Sequence, residues 1–332
     1  MNLNIFYDPS YWLNDRRLFS KPISQSSIFN KYYKKKYNKN IPLNNDVIKS
    51  GPQKLVNNIL EGLSGRENII YNREVYENNY FVTYMKKDKE NLINILNKDK
   101  KVIVGPLYTI ENYKELASLS KEYDNLKIVV ASIPAKKTML EISNFEIDES
   151  KLLVLPVGVE FERNILKNKE NKLNDNHKCL IYFKGRSKND LNILVEKLKS
   201  EQTQYQIFKY GEYSNSTLIE YGKTAKFGII LGRTESQGIA INKLMSMNIP
   251  LFVIDSTSNH YEGIDYEGTT VPYWSEECGV RITHIADFQK AYDKFKENLE
   301  ENNFSPYKFA YKELTYEVMN QNLKNIFKNT FS

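Results

Sequence analysis

The residues best suited to chemistry occupy one polar turn between an apolar run and an amphipathic segment. The apolar run is Phe227–Leu231, and the turn is Gly232-Arg-Thr-Glu-Ser-Gln-Gly238. We expect a helix to begin there and to continue to about Met247, with its unpaired N–H groups available to bind an anion such as a diphosphate. The predicted backbone donors are Ser236, Gln237 and Gly238. Gly238 also allows a phosphate close approach because it has no side chain.

Glu235 stands at the mouth of this helix, where two roles are open. Its carboxylate could stabilise the positive end of the helix dipole, or it could accept hydrogen bonds from the hydroxyls of a sugar. Two basic residues, Lys184 and Arg186, flank Gly185 after another apolar run, Cys179–Phe183. Fixed positive charges in such a place would stabilise negative charge on a leaving phosphate. The alternative is a surface pair beside a helix.

Short apolar runs alternate with helix-like segments along the whole chain. In the first half, the amphipathic segment Leu55–Leu63 has a buried-face pattern, and the predicted strands are Leu3–Tyr7, Val102–Val104, Lys127–Ala131 and Leu152–Leu155. In the second half the predicted strands are Cys179–Phe183, Gln206–Lys209, Phe227–Leu231 and Pro250–Asp255. Such alternation predicts an α/β protein with two doubly wound, Rossmann-like domains of parallel strands. Ligands of these folds bind at the carboxyl ends of the strands, here the cleft expected between two such domains.

The domain boundaries follow from a polar, apolar-poor stretch in the middle of the chain. It predicts a first domain over 1–163, a linker over 164–177, a second domain over 178–306 and a helical tail over 307–332. The tail is expected to form one or two helices.

The segment 232–250 is similar to the donor-binding region of retaining GT-B glycosyltransferases of the family 4-like type. In that family an acidic residue, a glycine-containing turn and a second acidic residue eight positions on, which commonly holds the donor ribose, surround the start of a helix. Glu235 takes the first acidic position, whereas the eighth residue after it is Lys243, preceded by Asn242. Other segments are similar to family segments in the expected order, namely Ser50–Pro52, Leu155–Glu160 and Tyr182–Arg186.

The resemblance implies a GT-B fold whose first domain binds the acceptor, whose second domain binds a nucleotide-sugar donor, and whose C-terminal helices pack back on the first domain. It implies sugar transfer from a nucleotide diphosphate to an acceptor hydroxyl with retained anomeric configuration. The expected catalytic residues are Glu235, Arg186 and Lys184. The expected donor-binding residues are Gly51, Gly185, Tyr210, Gly211, Thr234, Ser236, Gln237, Gly238 and Asn242, with Arg233, Tyr273 and Trp274 as secondary candidates.

No cofactor and no metal are predicted. The chain contains no Asp-x-Asp pair of the kind that holds a divalent cation in GT-A enzymes, and Cys179 and Cys278 have no ligand spacing. All three histidines, at positions 177, 260 and 284, lie in the second half, so the first domain supplies no histidine base. This distribution favours retention over inversion.

The net charge of +6 and a pI near 8.9 allow an anionic partner without requiring one. The basic and aromatic stretch Lys31–Lys39 is either a solvated surface or a contact with an anionic membrane or nucleic acid. No apolar run reaches the length of a membrane span and the amino terminus lacks signal-peptide features, so a cytoplasmic location is expected, with peripheral membrane contact as an alternative.

The acceptor is expected to be a glycan, a lipid-linked or a protein-linked hydroxyl, and the sequence gives no oligomeric state. Three other functions stay open at this point. They are transfer of a sugar to nucleic acid bases, non-catalytic binding of a nucleotide sugar, and nucleotide-sugar epimerisation, which shares the architecture.

Overall fold

Two parallel sheets, each with its own helices, make up the protein in a computed structural model that describes residues 2–7, 51–64, 69–71, 76–144, 146–161, 178–261 and 263–331. The first compact unit comprises Met1–Val129, Glu146–Leu155 and Asn320–Ser332, and the second comprises Val130–Phe145 and Pro156–Met319. Two segments of the predicted first domain therefore group with the second sheet. The stretch Lys31–Lys39 and the predicted linker 164–177 lie outside the described residues.

The sheet of the first unit is built from β1 (Leu3–Phe6), β2 (Ile69–Tyr71), β3 (Asn78–Thr83), β4 (Lys101–Leu107), β5 (Leu126–Val130) and β6 (Leu152–Val154). Across the sheet these strands follow the order β2-β1-β3-β4-β5-β6. Neighbours from β2 to β5 pair in parallel. β5 is buried along its whole length, as expected of a strand in a parallel sheet that is covered on both faces.

The helices of this unit include α1 (Gly51–Leu63), α2 (Lys89–Leu96) and α3 (Ile110–Glu122). The predicted apolar face of α1 is buried, at Leu55, Val56, Ile59, Leu60 and Leu63. α3 begins at a capping residue, Thr109, whose hydroxyl accepts the N–H of Asn112. Asn320, near the chain end, donates to the Gly62 carbonyl at the end of α1 over 2.7 Å. The residues from Asn320 onward thus pack on the first unit, whereas the earlier part of the predicted tail groups with the second unit.

The sheet of the second unit is built from β7 (Lys178–Lys184), β8 (Gln204–Lys209), β9 (Phe227–Gly232), β10 (Leu251–Ile254) and β13 (Gly279–Ile282). Its strands follow the order β13-β10-β9-β7-β8 and pair in parallel throughout. A separate antiparallel hairpin consists of β11 (Ser258–Tyr261) and β12 (Ile264–Glu267). β9 and β10 are completely buried, so they form the centre of the core.

The described part of this unit contributes a further set of helices. They are α4 (Ile133–Ile142), α5 (Lys188–Ser200), α6 (Asn215–Gly222), α7 (Ile239–Ser246), α8 (Phe288–Glu300), α9 (Pro306–Leu314) and α10 (Tyr316–Asn329). α10 begins in the second unit, and its residues from Asn320 onward group with the first. Aromatic rings of α8 pack on β9 and β10, with Phe252 5.1 Å from Phe288 between ring centroids. The predicted tail is two helices.

The predicted strands exist, with bounds that differ by one to three residues. Sequence reasoning missed β2, β3 and β13, and it missed the hairpin. β13 consists of only four residues, Gly-Val-Arg-Ile, with an exposed arginine among them, so it carries no clear period. Cys179 and Cys278 are both buried and free. In the part of the chain that the structure describes, no helix is long and apolar enough to cross a bilayer.

Gly279 opens β13 in a conformation that only glycine adopts readily, with φ 144° and ψ −147°. A Cβ atom there would lie 1.9 Å from the Leu251 carbonyl oxygen on β10. We therefore expect Gly279→Ala to lower the free energy of unfolding by more than about 2 kcal/mol, because backbone rather than a side chain must move. Denaturant unfolding measures this change.

Gly263→Ala is the matched control, since Gly263 also has a positive φ of 83° but nothing within 4 Å of an added Cβ. Its cost should stay near about 1 kcal/mol. Equal losses in the two variants would contradict the role given to the Leu251 carbonyl.

Candidate functional site

The predicted catalytic side chains meet at the carboxyl edge of the second sheet. Lys184 ends β7 and is paired in register with Gly232, the last residue of β9. From there the chain continues to Glu235, and the Lys184 ammonium donates to the Glu235 carboxylate over 2.7 Å. The side chains are 26% and 12% exposed, so the ion pair is accessible to a ligand but largely shielded from water.

A tyrosine ring contacts this ion pair, and two more tyrosines interact electrostatically with Glu235. The Lys184 ammonium lies 4.4 Å from the centre of the exposed Tyr210 ring, at cation–π distance. The rings of Tyr182 and Tyr213 contact each other edge to face, with 6.2 Å between their centroids, and burial raises the pKa of Tyr213 to about 12. Burial also raises the pKa of Glu235, while the charge of Lys184 opposes that rise. The ion pair is therefore poorly hydrated, and water screens the electrostatic interactions at this site only weakly.

The turn after Glu235 presents its N–H groups and hides its carbonyl groups. The Ser236 carbonyl accepts the Ser132 hydroxyl over 2.6 Å, and the Gln237 carbonyl accepts the Asn242 side-chain amide over 2.9 Å. The Gly238 carbonyl accepts the backbone N–H of Asn242. Among the described residues, no acceptor is bonded to the backbone N–H groups from Ser236 to Ile241. This is the arrangement of an anion-binding nest at the start of a helix.

Gly238 has φ 67° and ψ 42°, a left-handed conformation that lets the chain enter α7 directly. A Cβ there would meet only ordinary contacts, the nearest at 3.5 Å from Pro272. The requirement for glycine is thus its backbone conformation, and the absent side chain also leaves the nest open.

Arg186 lies at the same edge and is held from two sides. Its Nε donates to the Asp190 carboxylate over 3.2 Å, and its Nη1 donates to the Asp255 carbonyl over 3.3 Å. Asp255 itself is buried after β10 and accepts the Thr270 N–H over 2.6 Å. The guanidinium is fixed in orientation, with donors left over for a ligand.

The side chains of Asn242 and Lys243 are buried and donate to backbone carbonyls. Asn242 is 1% exposed, and its amide nitrogen is engaged by the Gln237 carbonyl. Lys243 is 7% exposed and donates to the Glu160 carbonyl over 3.0 Å, so it does not face solvent. Neither side chain is placed to take over a ligand contact from the missing second acidic residue.

The remaining predicted donor-binding residues are divided between the two units, with Gly185, Gly211 and Thr234 in the second unit and Gly51 in the first. Gly185 has φ 67°, and a Cβ there would lie 2.9 Å from the Arg233 side chain. Gly211 is exposed with φ 82°, next to Tyr210. The Thr234 hydroxyl accepts the Asn259 amide over 3.0 Å. Gly51 begins α1 in the first unit.

The two aromatic candidates after β12 are packing residues in the second unit. The Tyr273 hydroxyl donates to the Ala131 carbonyl, and burial raises the pKa of Tyr273 well above its ordinary value. Trp274 is partly buried against the apolar core. Both therefore fix the loop within the second unit.

Three residues of the site escaped sequence reasoning. Ser132 caps α4 and binds the turn, but it lies 104 residues from Ser236 in sequence. Asp255 was predicted only as the last residue of a strand, and Tyr213 lies two residues after Gly211 in a polar segment. A serine before Ile-Pro is a cap signal, yet nothing local reveals its distant partner. Within the described ranges, no three His, Cys, Asp or Glu side chains form a metal-ligand cluster.

Comparisons with known proteins identify the fold of this chain. The chain is similar to the solved apo structure of the lipopolysaccharide outer core galactosyltransferase WaaB, with a TM-score of 0.53 and 10% identity over 98% of this chain and 99% of that one. It also matches the crystal structure of TarM with a TM-score of 0.46 and 12% identity, over 76% of this chain and only 55% of the length of TarM. No protein-family model and no curated protein matches the chain. The predicted α/β fold of GT-B type is confirmed.

The ion pair yields a stability prediction with a defined sign. Replacing Lys184 by Met leaves the Glu235 carboxylate shielded and unpaired, so unfolding should become easier by about 1–3 kcal/mol at pH 7. The pKa of Glu235 is raised in the folded protein, so protonation of this carboxylate stabilises the folded state. This stabilisation is present at low pH and is lost as pH rises through the pKa of Glu235 in the folded protein. The loss should therefore shrink at pH 5, and it should shrink at pH 7 when Glu235→Gln is added.

Chemical denaturation of the wild type, Lys184→Met, Glu235→Gln and the double variant gives a double-mutant cycle that measures the coupling between the two residues. Lys209→Met is the matched control, because Lys209 ends the neighbouring strand and its ammonium is 3.7 Å from Glu212 in an exposed pair. It should change stability by less than about 0.5 kcal/mol. A Lys184→Met loss that is the same at both pH values would refute the buried-carboxylate explanation.

Proposed function

We propose that this protein is a glycosyltransferase that moves a sugar from a nucleotide-diphosphate donor to an acceptor hydroxyl. One observation carries the proposal. At the carboxyl edge of the second sheet, the Lys184–Glu235 ion pair lies directly before a turn whose N–H groups from Ser236 to Ile241 have no bonded acceptor in the described structure. Positive groups and a carboxylate thus stand side by side, as a charged diphosphate joined to a polyhydroxylated sugar requires. The likeness to WaaB, itself a galactosyltransferase, supports the fold for this function.

The positive groups suit the diphosphate. In sugar transfer the bond between the anomeric carbon and the phosphate oxygen breaks, and the electron pair stays on the phosphate oxygen. The turn at the start of α7 supplies fixed N–H dipoles, and Lys184 and Arg186 supply full charges. Arg186 is already oriented by Asp190 and by the Asp255 carbonyl, so little reorganisation is needed when negative charge grows.

Glu235 suits the sugar. Its carboxylate is held by one hydrogen bond from Lys184, and its own backbone N–H is held by the Thr269 carbonyl over 2.8 Å. An ionised carboxylate has further lone pairs that accept hydrogen bonds from sugar hydroxyls. Positive charge developing on the sugar ring would also be stabilised by this carboxylate.

We further propose that transfer is retaining and independent of metal. The positive charge that a divalent cation would provide is available from Lys184, Arg186 and the start of α7. Retention rests on the resemblance of the Glu235 turn to retaining families. The proposed acceptor is a hydroxyl of a glycan or of a lipid-linked or protein-linked sugar, reached from the cytoplasm or a membrane surface.

A second candidate function is non-catalytic binding of a nucleotide sugar. At the position where the retaining GT-B family holds the donor ribose with a carboxylate, this chain has Lys243, preceded by Asn242. Both side chains donate to backbone carbonyls, of Glu160 and Gln237 respectively. A binder and an enzyme would both retain the diphosphate nest. Turnover of a nucleotide sugar separates the two functions.

The nest predicts that nucleoside diphosphates stabilise the protein more than the matching monophosphates. A ligand at 100 times its dissociation constant adds about 2.7 kcal/mol, which raises the melting temperature by several degrees. Thermal unfolding with uridine, guanosine, adenosine and cytidine phosphates, with and without EDTA, measures this effect. The shift should be selective for one base and insensitive to EDTA. If none of these diphosphates shifts the melting temperature, the donor-site assignment fails.

For the nucleotide sugar of that base, Glu235→Gln should lower kcat/KM on the order of a hundredfold, because an electrostatic stabiliser of the transition state is lost. Glu212→Gln, an exposed carboxylate after the neighbouring strand, is the matched control and should keep wild-type kinetics. Full activity in Glu235→Gln would remove Glu235 from the site. Proton NMR of the product should show the donor's anomeric configuration, and inversion would contradict the retaining proposal.

A further inference from the structure

In the described structure, no acceptor is bonded to the N–H groups of the turn from Ser236 to Gly238, so contacts of its carbonyl groups and side chains must fix its shape. Ordering one residue of such a backbone costs about 1–2 kcal/mol of conformational entropy. If the turn were mobile, an anion would have to order it upon binding, and affinity would fall accordingly.

The Gln237 side chain points away from the nest and forms a two-point contact with Val157. Its amide nitrogen donates to the Val157 carbonyl over 3.0 Å, and its amide oxygen accepts the Val157 N–H over 3.3 Å. Gln237 is 2% exposed and Val157 is fully buried, so water does not compete for these bonds. Two opposed bonds fix both the position and the rotation of the amide.

Val157 is itself a firm anchor. The next residue, Gly158, donates its N–H to the Met319 sulfur, and the Val159 N–H donates to the Leu314 carbonyl over 2.8 Å. From α7, Lys243 and Ser246 both donate to the Glu160 carbonyl. The segment from Val157 to Glu160 is therefore tied to α7, α9 and α10 at several points.

A second tie reaches the turn from another part of the unit. The hydroxyl of Ser132, which is completely buried, donates to the Ser236 carbonyl over 2.6 Å and accepts the Ala135 N–H at the start of α4. This bond turns the Ser236 carbonyl toward the protein. The peptide N–H of Gln237 belongs to the same planar unit, so it is directed the opposite way.

We propose that Gln237 and Ser132 are positioning residues that hold the turn in its anion-binding shape. This inference rests on the proposed function, because it assigns the shape of the same nest to two side chains that do not touch the ligand. Lys184 and Arg186 supply charge, whereas Gln237 and Ser132 set the direction of the N–H groups.

Isothermal titration of the most tightly binding nucleoside diphosphate, and of its matching monophosphate, tests the proposal. Gln237→Met keeps the side-chain volume and removes both bonds to Val157. We expect the diphosphate to bind about tenfold more weakly and the monophosphate to lose less than about threefold, because the nest contributes most to the ligand with more phosphate charge. A role in stability alone would weaken both ligands equally.

Ser132→Ala should give the same selective loss, and Ser132→Thr, which keeps the hydroxyl, should restore diphosphate affinity. These variants keep the test decisive if Gln237→Met does not fold. Thr138→Val is the matched control. It removes a hydrogen bond from an α4 side chain to the Glu267 carbonyl and leaves both contacts of the Ser236–Gly238 turn, from Ser132 and Gln237, in place. It should leave both affinities unchanged.

Wild-type affinities in Gln237→Met and Ser132→Ala, or equal losses for the two ligands in these variants, would overturn the positioning role while leaving the proposed function intact. If the wild type binds none of the four nucleoside diphosphates, both the function and this inference fall. The two failures are therefore distinguishable by the wild-type titration alone.

Discussion

The register between β7 and β9 is the constraint on which the site depends. In a parallel sheet the hydrogen-bonding pattern sets which residues end side by side, and here Lys184 ends opposite Gly232. That pairing brings the ammonium within 2.7 Å of a carboxylate 51 residues later in the sequence. A one-residue slip would turn Lys184 to the other face of the sheet and abolish the ion pair. The buried apolar residues of β7 and β9 oppose that slip, because Ile181 and Ile229 pack in one core cluster and a slip would remove them from it.

Much of the fold follows from the sequence because parallel strands buried on both faces appear as short apolar runs. Phe227–Leu231 and Leu251–Ile254 are examples, and the turns after them carry the polar residues of the site. The missed elements are those where this signal is weak. β13 begins with a glycine and contains an arginine, while Tyr80 and Phe81 of β3 lie in a run that opens with two asparagines.

The site is predictable to the extent that it is local. Gly238, Glu235 and the helix after them are adjacent in sequence, so their grouping is evident from the order of the residues alone. The roles of Asn242 and Lys243 are not evident in this way, because a lysine is normally exposed and here a backbone carbonyl 83 residues away accepts its buried ammonium. The Ser132 contact depends in the same way on tertiary packing. Sequence reasoning found the residues of the turn itself better than the distant residues that hold the turn in place.

The segment Val130–Phe145 belongs to the second unit although Glu146–Leu155, which follows it, belongs to the first. Tyr273 donates to Ala131 and Thr138 donates to Glu267, so this early segment is an integral piece of the later structure. The second unit is thus discontinuous along the chain. During synthesis, α4 is made more than a hundred residues before these partners, and it must wait for them. A fragment that begins after residue 155 would lack a piece of its own fold, so the two units cannot be separated by a single cut.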